Sequence, residues 1–186
     1  MSDTAARVVL PSGRAQVHLT GFMGSGKSTV GRLLARRLLW NFLDLDGLIE
    51  RHEGRTVAQI FAEDGEAGFR ASEHHVLRQA VNKPATVVAL GGGTLIDPRN
   101  RELSRCNAVL VWLRCPVEAL EARCAGLAAD RPLWGDHATL RQRYAERLPG
   151  YEAADIAVDA TEAPDAVAAT VHRALVEAAE ARHPGA

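Results

Sequence analysis

Hydrophobic and polar positions along this chain switch repeatedly between a period of two and a period near 3.6. Val17-His18-Leu19-Thr20 reads as a short strand, and Val30, Leu33, Leu34 and Leu38 then recur at helical spacing. Asn41 to Asp46 reads as a second strand, whose carboxylates Asp44 and Asp46 stand two apart and therefore on one face. Thr56 to Ala62 and Glu66 to Val81 carry helical patterns, the second interrupted by Gly68, which costs about 1 kcal/mol relative to Ala. Thr86 to Leu90 is a third strand running into Gly91-Gly92-Gly93, Pro98 to Ser104 a crossover helix, and Ala108 to Arg114 a strand apolar enough to be buried on both faces. Pro116 opens a helix through Cys124, followed by an irregular stretch over 125–135 and a helix from Ala138 to Arg147. Asp155 to Val158 is a fifth strand, and Val167, Val171, Ala174, Leu175 and Ala178 stripe a last helix that ends before Pro184-Gly185.

Strands alternating with helices predict a parallel sheet covered on both faces, with ligands gathered at the carboxyl ends of the strands. The 186 residues suffice for one domain with its own core, and positions 1–12 carry so little pattern that a loose tail is expected there. Basic and acidic residues number 22 and 23, which removes any general attraction for nucleic acid or an anionic membrane. The apolar run Ala108 to Leu113 is far too short for a membrane span, and the N-terminus lacks the blocks of a secretory signal. Three cysteines, Cys106, Cys115 and Cys124, form no C-x-x-C pair, so free thiols in the cytoplasm are expected.

The candidate chemistry begins at Gly21-Phe22-Met23-Gly24-Ser25-Gly26-Lys27-Ser28, a G-x-x-x-x-G-K-[ST] loop set between a strand and a helix. Its glycines let backbone N–H groups face phosphate, Lys27 reaches the outer phosphates, and the Ser28 hydroxyl can ligate Mg²⁺. A carboxylate near such a loop can support the metal, and one further out can hold or deprotonate an acceptor hydroxyl, which suits Asp44 and Asp46. Arg70 and Glu73 stand three apart, where a helical ion pair can hold the guanidinium in place. Gly91 to Gly93 is either a plain turn or a point of close approach to substrate. Arg131, in Asp130-Arg131-Pro132-Leu133 after a run of small residues, is either a surface arginine or one that swings over transferring phosphate. His74 and His75 are adjacent, so they diverge on a helix and do not read as a metal pair. Asn82-Lys83-Pro84-Ala85 lacks the aspartate of a guanine-recognition signature.

Taken in order, GFMGSGKSTVGRLLA, LDLD, GEAGFRASE, LGGGTL, DRPL and ERLPGY resemble the bacterial shikimate kinases over Leu19 to Val158. The resemblance implies an α/β, P-loop nucleoside-monophosphate-kinase-like three-layer fold: a five-stranded parallel sheet in order 2-3-1-4-5, a substrate-binding region at 47–82 and a mobile lid at 125–135. It also implies transfer of the γ-phosphoryl group of MgATP to the 3-hydroxyl of shikimate. Gly24, Ser25, Gly26, Lys27, Ser28 and Thr29 would bind ATP phosphates, and Ser28 and Asp44 would support Mg²⁺. Asp46 would bind the acceptor hydroxyls and act as base, while Arg70, Gly92 and Arg147 would hold shikimate and Arg131 would close on ATP. Two arginines make chemical sense, because forked donors suit a carboxylate.

Small-molecule substrates, no nucleic-acid or membrane partner and a monomer are the corresponding expectations. Gly150 stands where the family usually has a larger apolar residue, the segment 125–129 is unusually neutral, and Ala160 to Pro164 matches no adenine-contact pattern. A gluconate-type sugar-acid kinase would share the P-loop and an anionic hydroxylated substrate. A non-catalytic P-loop regulatory module would need no convergence of Asp46, Arg70 and Arg147.

Overall fold

The computed structural model describes residues 10, 14–125 and 137–181. Its elements run β1 (Gln16–Thr20), α1 (Lys27–Leu38), β2 (Asn41–Asp44), α2 (Leu45–Glu53), α3 (Val57–Ala80), β3 (Thr86–Ala89), α4 (Pro98–Asn107), β4 (Ala108–Arg114), α5 (Val117–Ala125), α6 (His137–Glu152), β5 (Ile156–Asp159) and α7 (Pro164–Glu180). All pairings are parallel, in the order β2-β3-β1-β4-β5 expected from the sequence. The central strand β1 aligns Gln16–Leu19 with Thr86–Ala89 on one side and Gln16–Thr20 with Ala108–Trp112 on the other.

Helices cover both faces because β-strand side chains alternate across the sheet. On one face Val17, Leu19, Val109 and Val111 pack with Val30 and Leu34 of α1 and with Val171 and Leu175 of α7. On the other, Val88, Leu90 and Leu110 meet Ile49 of α2 and Phe69, Val76 and Leu77 of α3. Leu10, expected within a loose tail, is buried in the first of these cores. The rest of that tail, the lid region from residue 126 and Arg131 lie outside the described residues. No helix among the described residues is long and apolar enough to cross a membrane.

Two local departures from the sequence reading matter for the site. The second strand stops at Asp44, and Leu45 already begins α2, because the Asp44 side chain caps the helix by accepting from the Gly47 N–H. Leu45 and Ile49, four apart, are the buried face of that helix. Asp44 and Asp46 therefore do not share a strand face; a strand-to-helix junction separates them. The two helices read over 56–62 and 66–81 are the two limbs of α3, which is broken at Gly65, where φ is 69° and ψ is −174°, a conformation glycine adopts without strain. The first limb opens with a capping box between Thr56 and Gln59. Farther on, α6 continues beyond Arg147 through Pro149 to Glu152, and this extension carries Tyr151 into the protein interior.

The polar face of β1 is buried as well: Gln16, His18 and Thr20 have no exposed surface. The Gln16 amide donates to the carbonyls of Ala80 at 2.8 Å and Lys83 at 2.5 Å, leaving its Oε1 to accept. His18 Nε2, 2.8 Å from that oxygen, must then carry a proton and donate, while the buried Nδ1 meets no partner. Burial pushes its pKa down to about 3. Unfolded chain takes up the second ring proton near pH 6.5 and folded chain only near pH 3, so the contribution is complete above 6.5 and lost as pH falls below it. We predict that urea-unfolding stability drops by about 1.4 kcal/mol per pH unit on this account between pH 5.5 and 4.5, and that His18→Leu flattens that slope. Equal slopes for the two proteins would show that His18 is not the titrating group.

Candidate active site

The loop between β1 and α1 forms the donor side. Gly26 turns the chain into α1 with φ of 89°, and no acidic residue stands in the first turn to compete for its N–H groups. Lys27 Nζ donates to the carbonyls of Gly21 at 2.8 Å and Phe22 at 2.9 Å, so it lies folded along the loop that it closes. Ser28 Oγ donates to Asp44 Oδ2 at 2.5 Å. A hydroxyl and a carboxylate thus meet at the base of the loop, both of them hard oxygen donors of the kind that suit Mg²⁺.

Pairing of β1 with β3 brings the glycine triplet beside this loop, and the acceptor side is built around the triplet. A Cβ on Gly91 would lie 3.0 Å from Asp46 Oδ1, one on Gly92 3.1 Å from Arg147 Nη1, and one on Gly93 2.7 Å from Arg70 Nη2. Side chains here would push into three of the predicted site residues, so it is these protein side chains that crowd the triplet. After the turn a 3-10 segment, Thr94–Ile96, leads to α4.

Arg70 is held from below. Its Nη1 donates to Glu73 Oε2 at 2.7 Å, and its Nη2 to the exposed Glu66 at 3.2 Å. Glu73 is fully buried, and its other oxygen accepts from Thr94 Oγ1 at 2.6 Å. Asn100 Nδ2 donates to the Thr94 carbonyl at 3.2 Å, which turns Asn100 Oδ1 toward His74 Nδ1 at 2.7 Å and places the His74 proton on Nδ1. His74 is therefore part of the support of this turn, and no cluster of three metal-ligating side chains occurs among the described residues. The expected pairing of Arg70 with Glu73 is present; the extension through Thr94 and Asn100 was not visible in the sequence.

Asp46 stands in the first turn of α2 with solvent at its surface. Protein nevertheless surrounds it closely, and the resulting loss of hydration pushes its carboxyl up to about 6. Asp44 adds to the rise, Lys27 opposes it, and Glu73 and Glu50 contribute smaller increments. Water still reaches the carboxylate, which tempers the rise without reversing it. Arg147 lies with its guanidinium 5.3 Å from the centre of the Phe22 ring, a contact between α6 and the P-loop.

Arg123 of α5, which no motif marked, lies against the P-loop. It donates to the carbonyls of Ala160 at 2.9 Å, Thr161 at 3.1 Å and Gly24 at 3.4 Å. Together with Ala160, Glu162 and Pro164 it lines a cleft of about 260 Å³ whose other wall is the P-loop at Gly24, Ser25 and Thr29. The segment 160–164, which carried no sequence signal for nucleotide, is thus the wall opposite the phosphate loop.

The shikimate kinase family model matches residues 23–176. The chain belongs to the shikimate kinase family. It is 46% identical over 154 residues to the shikimate kinase of Chlorobium chlorochromatii (strain CaD3), covering 77% of this chain and 80% of that one. Against the shikimate kinase of Paramagnetospirillum magneticum (strain ATCC 700264 / AMB-1) identity is 40%, with coverage of 95% and 93%. Among solved structures, shikimate kinase from Acinetobacter baumannii in complex with shikimate superposes with a TM-score of 0.83 at 34% identity, covering 88% of this chain and 94% of that one. A gluconokinase from Sinorhizobium meliloti 1021 reaches a TM-score of 0.61 at 20% identity, covering 91% and 95%, and shares the fold alone. The family consists of ATP-dependent kinases, so the protein is an enzyme and ATP its phosphoryl donor.

Gly93 has φ of −114°, which alanine tolerates, and the atom its Cβ would meet is the end of a flexible arginine. Gly93→Ala is therefore expected to displace Arg70, lowering kcat/KM for the acceptor roughly ten- to hundredfold and, because buried Glu73 loses its partner, lowering the thermal midpoint as well. Steady-state kinetics beside a melting curve checks this; unaltered kcat/KM would mean that Arg70 does not act at the triplet.

Proposed function

We propose that the protein moves the γ-phosphoryl group of MgATP to the 3-hydroxyl of shikimate, with ATP on the P-loop and shikimate among Asp46, Arg70, Gly92 and Arg147. The observation that carries this reading is the convergence of two arginines and a carboxylate on one glycine turn beside the phosphate loop. Two forked cations match the carboxylate of the acceptor, and Asp46 matches its hydroxyls. A regulatory P-loop module has no use for that set.

The phosphates lie along Gly24 to Thr29, with Lys27 released from the Gly21 and Phe22 carbonyls to meet the outer ones, and the base enters the cleft under Arg123. Ser28 and Asp44 would hold Mg²⁺, which supplies neutralisation of phosphate charge when bound. Asp46, between Lys27 and the triplet, takes the proton of the attacking hydroxyl. Arg131, outside the described residues, is assigned to closing over ATP. Phosphoryl transfer asks mainly for alignment and charge stabilisation, and these groups supply both. Free thiols at Cys106 and Cys115 fit work in the cytoplasm.

ADP release by purified protein, compared with shikimate, gluconate and no acceptor, tests the reaction. Release with shikimate is the expected result; release with gluconate alone or without acceptor would refute it. Arg70→Lys should raise the shikimate KM about tenfold with little change in the ATP KM, because the ammonium loses the fork. Lys27→Ala should lower kcat on the order of a hundredfold.

A base must be ionised, and the Asp46 carboxyl is raised to about 6. Turnover should therefore fall on the acid side of about pH 6, and a limb near pH 4 would show that its neighbours do not perturb it.

A further inference from the structure

Tyr151 is fully buried near the end of α6, its ring stacked 6.0 Å from Trp112 in a cluster that includes Phe22, Leu120 and Leu140. A phenol in such surroundings needs partners for its oxygen. Its hydroxyl donates to the Gly92 carbonyl at 2.5 Å, and the Arg147 side chain stands beside it, one helical turn earlier on α6. Arginine can only donate and a carbonyl can only accept. The single proton of the tyrosine goes to Gly92, which leaves its oxygen free to accept on the side where Arg147 stands. The bond to Gly92 can run only from the hydroxyl to the carbonyl, and burial keeps the hydroxyl protonated by pushing its pKa upward.

We infer that Tyr151 is a positioning residue for the acceptor site, setting the orientation of the Arg147 guanidinium and of the Gly92 peptide through one hydroxyl. The inference rests on the assignment of Arg147 and Gly92 to shikimate made above. Arg147 has a second contact, the Phe22 ring, but a ring face fixes distance better than direction. The hydroxyl supplies the direction. It also ties down Gly92, whose missing side chain leaves its peptide free to turn and whose Cβ position is 3.1 Å from Arg147 Nη1. Both acceptor-holding groups thus share one anchor, placed in the core and out of reach of substrate.

Tyr151→Phe keeps the ring and its stacking and removes only the hydroxyl. Trp112→Phe disturbs the same stack and keeps the hydroxyl, so it measures what packing alone does. With the full-length protein, Tyr151→Phe should raise the shikimate KM about tenfold, leave the ATP KM within about twofold, and lower kcat less than it raises KM. It should also narrow the discrimination between shikimate and its carboxamide, because a loosened Arg147 no longer favours the carboxylate. Trp112→Phe should show neither effect. An unchanged shikimate KM in Tyr151→Phe, or an equal rise in Trp112→Phe, would overturn the inference while wild-type turnover with shikimate leaves the functional reading standing. Wild-type protein that releases no ADP with shikimate would remove that reading and this inference with it.

Discussion

The parallel pairing of β1 with β3 is the constraint on which the site depends. Leu90 N–H donates to the Leu19 carbonyl at 3.0 Å, just before the P-loop begins on one strand and the glycine triplet on the other. Two loops leaving the same end of adjacent strands have nowhere to go but side by side. The phosphate loop and the acceptor turn are separated in sequence by the whole of α1, β2, α2 and α3. The apolar face of β1, Val17 and Leu19, and its buried polar face, Gln16, His18 and Thr20, enforce the register, since a slip of one residue would exchange the two.

On that frame the acceptor side is an arrangement of buried polar groups, each needing a partner. Glu73 would be a costly charge in the core if left alone. It is matched by Arg70 on one oxygen and Thr94 on the other, while Asn100 holds the Thr94 backbone. Tyr151 does the same from the other side of the triplet. The glycine turn is thus held by α3 and α4 on one flank and α6 on the other. Such a turn can present donors to a substrate without reorganising, which is what electrostatic catalysis of phosphoryl transfer requires.

Much of this was legible in the residues themselves. The P-loop is contiguous, and its chemistry needs the neighbours that it has in sequence. Strand order followed from the family resemblance, and the apolar run of β4 announced burial on both faces. Asp44 and Asp46 were wrongly arranged, because two carboxylates at alternate positions fit a strand as well as a helix cap. Only the burial of Leu45 and Ile49 against α3 decides for the helix. Arg123 carried no signal at all: one arginine in an amphipathic helix looks like any other until β5 and the segment after it come to lie opposite the P-loop.

Sequence alone therefore determined the elements whose reasons are local: the phosphate loop, the alternation of strands and helices, the Arg70–Glu73 spacing and the family. Tertiary structure decided what depends on groups far apart in the chain: the bond from Tyr151 to Gly92, the support of Thr94 by Asn100, the cleft under Arg123 and the raised acidity range of Asp46. The physical reason is that local spacing governs backbone hydrogen bonding and facing. Desolvation and polar satisfaction depend on which surfaces the sheet brings together.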